Sequence, residues 1–127
     1  MPLVTLTVAR PKDAAFKAAA LDAVHSALVA NGVPETDRFQ RVLELDPADF
    51  RYDPTYPDAT TPRDKNLVLV EILLSVGRSV KIKRKIAADL VAAMGRAPGI
   101  HPDDVFIVFK ETQWENWAFA GGRLLHA

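Results

Sequence analysis

The sequence opens Met1-Pro2, and a proline in second place can do chemistry by itself. Methionine aminopeptidase trims Met ahead of small residues, proline included, and leaves a secondary amine at the end of the chain. A peptide α-amino group titrates at about 7.7–8.0, and a pyrrolidine nitrogen is intrinsically more basic. Burial near a cation would draw it toward neutrality and make it a general base able to shuttle a proton between carbon atoms. Left protonated, the same nitrogen is an acid that polarises a carbonyl. Met-Pro openings also occur with no such role. Arg78, in Gly77-Arg78-Ser79, is a second candidate. A guanidinium in a turn between strand and helix can grip a carboxylate through two parallel donors and draw electrons toward it. The alternative is a solvated arginine at a helix start.

Other chemistries lack their parts. The chain has no cysteine, so no disulfide, thiolate nucleophile or Cys-based metal site can form. His25, His101 and His126 are scattered without ligand spacing, which speaks against a metal site. There is no nucleophile elbow and no phosphate-cradling glycine loop. Lys plus Arg and Asp plus Glu both count 16, and the zero net charge argues against nucleic acid or an anionic membrane as the main partner. The basic stretch Lys81 to Lys85 reads as a solvated helix face. No apolar run reaches the roughly 18–20 residues that cross a membrane. The opening MPLVTLTVARPKD alternates like a strand and lacks the layout of a signal peptide, so a cytoplasmic protein is expected.

The elements that must position Pro2 and Arg78 form two similar halves. Leu3 to Val8 alternates with period two, as a strand does. Asp13 or a neighbour can cap a helix reaching about Asn31, with Leu21, Val24 and Leu28 on one face and Asn31-Gly32 as its stop. Arg38 to Leu45 reads as a second strand. A proline-rich connection over 47–65 follows, and the order then repeats. Asn66 to Leu74 is an apolar strand, Ser79 caps a helix to about Met94, and Val105 to Lys110 is a strand. Gly32, Asp37 and Phe39 recur 67 residues later as Gly99, Asp104 and Phe106. The expectation is one α+β domain over 1–127, with halves of about 2–46 and 66–112 and a terminal segment 113–127. Its two tandem β-α-β units should form a four-stranded mixed sheet with two helices on one face. Each unit's strands should be parallel, since a helix joins them. The strand residues look apolar on both faces (Leu67, Val68, Leu69, Val70, Ile72, Leu73), so the uncovered face predicts an obligate oligomer.

Met1-Pro2 leading into a strand, LDAVHSALV (21–29), GVPETDRFQ (32–40), GRSVKIK (77–83), PGIHPDDVFI (98–107) and ENWAFAGG (115–122) occur in one order along the chain. In these segments the sequence resembles the tautomerase superfamily over essentially its whole length. The similarity is greatest to the branch holding malonate semialdehyde decarboxylase and cis-3-chloroacrylic acid dehalogenase. The resemblance implies a catalytic Pro2 at the mouth of a pocket, a homotrimer, and neither metal nor organic cofactor. It implies that Arg78 binds a substrate carboxylate. Asp37 would activate a water or orient the amine, and His25 would bind a substrate oxygen; Asp37 could equally cap a turn or pair with Arg38, and His25 could simply edge the helix's apolar face. Trp117 and Phe119 would line the pocket wall, or else pack in a core or interface, a role that suits Trp114 better. Two departures stand out. Relatives often carry a second arginine shortly before Arg78, where this chain has Ser75-Val76-Gly77. The dehalogenase glutamate is also absent from the region of Ala118, Phe119 and Ala120. The function expected is keto–enol isomerisation of a small 2-oxo acid. The alternatives are a decarboxylase or hydratase and a non-catalytic oligomeric binding protein. Arg38 and Arg123 are candidates to replace the missing arginine.

Overall fold

Threonines alternating with branched apolar residues make Leu3–Ala9 strand β1, whose Val4, Leu6 and Val8 are all buried. The computed structural model describes residues 2–124. Asp13 caps helix α1 (Ala14–Ala30), its carboxylate accepting from the Phe16 N–H at 2.7 Å. Asn31 and Gly32 end it, Gly32 at φ 100°. Strand β2 is Phe39–Leu45, β3 is Val68–Ser75, α2 is Val80–Arg96 and β4 is Val105–Thr112.

The sheet order is β2-β1-β3-β4. β1 runs parallel to β2, β3 parallel to β4, and the two central strands are antiparallel. Each parallel pair is a β-α-β unit, and the units meet between β1 and β3. α1 packs on α2, where Asn31 Nδ2 donates to Asp89 Oδ2 at 2.9 Å. Beneath them lies one core built from Val4, Leu6, Val8, Val70, Ile72 and Leu74 of the sheet and Val24, Leu28, Ile86, Leu90 and Met94 of the helices.

Two strand ends differ by two residues from the sequence-based expectation, and the others agree to within one. β3 starts later because Asp64 holds Asn66 and Leu67 in a turn, its carboxylate accepting from Asn66 N at 2.8 Å and its carbonyl from Leu67 N at 3.2 Å. β4 runs on to Thr112 because Glu111 and Thr112 stay in register with Leu74 and Ser75. The face away from the helices is also less apolar than expected. Leu67, Val68, Val70 and Ile72 are buried, so only Leu69 and Leu73 of that expected set are half-exposed. Thr5 sits in register with Arg41 and Glu71, Arg41 Nε donates to Thr5 Oγ1 at 2.8 Å, and Lys110 pairs with Glu71 at 2.8 Å. A polar row therefore crosses a face that also carries apolar residues, among them Leu3, Phe39, Leu69, Leu73 and Phe106.

Candidate active site

Strand direction gathers the chemistry at one end of the sheet, where β1 and β2 begin and β3 and β4 finish. Pro2 directly precedes β1 and is buried. Its neighbour Leu3 is in register with Phe39 on one side and Leu73 on the other.

Arg78 lies just beyond β3 at the same end. Val76 N donates to Thr112 O at 2.9 Å, which docks the turn on β4. Gly77 has φ 119°, a conformation that excludes most side chains. Ser79 then starts α2, its Oγ accepting from Ile82 N at 3.2 Å. Arg78 is half-buried, and its guanidinium has no ion-pair or hydrogen-bond partner among the described residues.

Asp37 occupies the turn before β2 and is half-buried, its N–H donating to Pro34 O at 3.0 Å. Arg38 does not turn to it. The guanidinium pairs with Asp22 on α1, and Nε donates to Gln40 Oε1 at 2.9 Å. Arg38 is therefore engaged on the surface by Asp22 and Gln40. His25 is 6% exposed, and its Nε2 lies 2.8 Å from Glu35 O. A carbonyl only accepts, so Nε2 carries the proton and donates it there. The imidazole thus moors to α1 the loop that leads into Asp37.

Past β4 the chain makes a short 3-10 turn, Trp114–Asn116, pinned by Asn116 Nδ2 donating to Thr112 Oγ1 at 2.6 Å. Phe119 then stacks on both Trp117 and Phe39, each pair with ring centroids 5.4 Å apart and interplanar angles of 12° and 23°. Phe39 opens β2, the strand furthest from β4. Residues 113–119 therefore form a strap that crosses the ends of β3 and β1, where Pro2 and the Arg78 turn lie. Trp117 is 8% exposed, whereas Phe119 is 44% and Trp114 38% exposed. Beyond the strap Ala120 and Arg123 bridge across Gly121-Gly122, and a Cβ on Gly121 would stand 2.3 Å from Arg123 Nη1. The Arg123 guanidinium is thus folded over that turn beside Phe119.

The structure brings Pro2, Arg78, Asp37, Trp117 and Phe119 to one end of the sheet and gives His25 a structural bond. Sequence reasoning did not find Phe39, the platform of the aromatic stack. Its recurrence as Phe106 marked the repeat, and an aromatic opening an edge strand was the available signal. Among the described residues no group of three or more His, Cys, Asp or Glu is placed to hold a metal ion. His126 lies outside the described residues. Among the described residues no helix is long and apolar enough to cross a membrane.

Paired β-α-β units with a proline heading the first central strand define the tautomerase frame. Residues 37–120 match the tautomerase enzyme family, and the chain belongs to it. It is 28% identical over 101 residues to the probable tautomerase YusQ of Bacillus subtilis (strain 168), spanning 79% of this chain and 78% of that protein. Among solved structures it is similar to malonate semialdehyde decarboxylase, at 31% identity and a TM-score of 0.88 over 96% of this chain and 93% of the other. A second malonate semialdehyde decarboxylase, FG41, solved with 3-bromopropiolate as inhibitor, gives 26% identity and a TM-score of 0.88 over 96% and 92%.

Proposed function

We propose that the protein interconverts the enol and keto forms of a small 2-oxo acid, with Pro2 as the proton carrier once Met1 is removed. The observation that carries this is a half-buried guanidinium, Arg78, with no acidic partner among the described residues, at the sheet end where Pro2 is buried. An unpaired cation in that position suits a substrate carboxylate and also disfavours protonation of a nearby amine. In ketonisation the amine takes the enol hydroxyl proton and returns a proton to C3, so one proton moves and nothing else is consumed. Trp117, Phe119 and Phe39 exclude water and offer a surface to an apolar tail. His25 and Asp37 act on the loop before β2 rather than on the transferred proton. The polar-and-apolar open face is where further copies assemble, as a homotrimer.

Decarboxylation of a three-carbon oxo acid is the second reading. Asp37 in the turn beside the site and the 31% identity to malonate semialdehyde decarboxylase favour it. The two differ in sign with pH. Tautomerisation uses a neutral amine and rises through the amine's pKa, whereas acid-assisted decarboxylation falls over the same range. The test is ultraviolet-monitored ketonisation of enol phenylpyruvate by the parent, Pro2→Ala and Arg78→Ala, with Met1 removal checked by intact mass. Pro2→Ala should abolish turnover, and Arg78→Ala should raise KM at least tenfold. A Pro2→Ala enzyme as fast as the parent would end the proline mechanism.

A further inference from the structure

Two polar atoms at this end of the sheet are buried with no hydrogen-bond partner among the described residues, Ser75 Oγ and Trp117 Nε1. Ser75 is 0% exposed and Trp117 8%. A buried donor left without a partner costs roughly 1–3 kcal/mol, so each of these atoms calls for a partner beyond the described residues, and a bound substrate can supply one.

Their placement is informative. Ser75 ends β3, in register with Thr112, and shares a pleat face with Leu73, which is level with Leu3 and Phe39. The strap leaves Thr112 and reaches Phe39 on the far strand. It must cover about three strand spacings, roughly 14 Å at about 4.8 Å each, and on the way it passes the ends of β3 and β1. Trp117, one ring short of the Phe39–Phe119 stack, comes down on the inner part of this path.

We propose that Ser75 Oγ–H and Trp117 Nε1–H are substrate-binding donors aimed at the C2 oxygen of the 2-oxo acid, while Arg78 holds its carboxylate. This rests on the tautomerase reading above and adds to it how the second substrate oxygen is held. As the enol gives its proton to the Pro2 amine, the C2 oxygen becomes an enolate and gains negative charge. Two neutral donors in a dry site stabilise that charge more than the starting hydroxyl. They make no second electrostatic clamp, so the site favours a monocarboxylate carrying a neutral carbonyl over a dianion.

The experiment compares the parent, Ser75→Ala, Ser75→Thr and Trp117→Phe, on phenylpyruvate ketonisation and on phenylpyruvate binding by calorimetry, with Tm for each. Losing one such donor typically costs about 10²–10³ in turnover. Ser75→Ala and Trp117→Phe should therefore lower kcat at least tenfold with KM within threefold. Ser75→Thr, which keeps a hydroxyl, should recover most of the rate. Tm should hold or rise in Ser75→Ala, because a buried unpaired hydroxyl has been removed. Ser75→Ala and Trp117→Phe enzymes with parental kcat, or a Ser75→Ala enzyme with parental kcat and lowered Tm, would overturn the assignment and leave the tautomerase reading intact. A parent that neither converts nor binds phenylpyruvate would remove that reading and this one with it.

Discussion

Phe119→Ala tests whether the strap closes the site. Phe119 is held by two stacked rings, Phe39 and Trp117, and being 44% exposed it gains little else from burial. Each aromatic pair contributes about 0.5–1.5 kcal/mol, so the substitution removes about 1–3 kcal/mol from docking of the strap's far end. At about 1.4 kcal/mol per tenfold, the undocked population rises roughly 5- to 150-fold. The near end, pinned at Thr112, and the core under α1 and α2 are untouched, so the melting transition should move by only a few degrees. The assay is acrylamide quenching in a Trp114→Phe background, where Trp117 is the sole indole. Phe119→Ala should make Trp117 markedly more quenchable and lower turnover in parallel, while Phe119→Tyr, which keeps the stack, should match its background. Unchanged quenching would refute the idea that the stack holds Trp117 over the sheet end. Increased quenching with full turnover would show that the strap is no part of the site.

Two further outcomes are expected. The Asp103 carboxylate accepts from Thr60 Oγ1, Thr60 N and Thr61 N, at 2.8, 3.0 and 2.9 Å, and these bonds hold its pKa below the usual aspartate value. Because the folded-state pKa is depressed, its contribution is present above the ordinary aspartate range and is lost as pH falls through the depressed value. Amide protection at Thr60 and Thr61 should fall in acid and should already be low at pH 7 in Asp103→Ala; equal protection in parent and variant would contradict this. On the open face, Glu71→Lys replaces the Lys110 pairing with repulsion beside Arg41. Light scattering should show the parent as a trimer and the variant dissociated with its far-ultraviolet spectrum kept; a variant of parental mass would place the interface elsewhere.

The fold was legible because its signals are local and repeated. Asp13 and Ser79 are caps whose side chains accept from the third residue on, as their positions imply, and the parallel pairing follows from a helix between strands. The placement of Pro2 and Arg78 at one end of the sheet was legible for the same reason, since each lies at the end of a strand whose direction is fixed. The faces of the sheet were not. The run Leu67 to Leu73 is apolar but for Glu71, and nothing in it shows that Glu71 faces the open side and pairs with Lys110, 39 residues on. A substrate-binding role for His25 came from the resemblance alone; its bond to Glu35, ten residues on, forms only after the loop folds back. Ser75 was invisible because a serine closing an apolar strand reads as a boundary residue until its burial is known.

The antiparallel join of β1 to β3 makes the two ends of the sheet near-copies of each other, yet the amine proposed for Pro2 has room at only one of them. At the opposite end the position equivalent to Pro2 falls at the entrance to β3, where the chain arrives from the proline-rich connection. Its nitrogens there are peptide amides, Asn66 N already donating to Asp64 Oδ1 and Asp64 N to Asp104 Oδ1 at 3.3 Å. Lys12 Nζ closes the gap further by donating to the carbonyls of Ala9 and Lys65. Duplication has therefore given the protein two geometrically equivalent seats and let the linker fill one of them. A titrating ligand should count a single occupant per polypeptide, and the vacated half is free to diverge as scaffold.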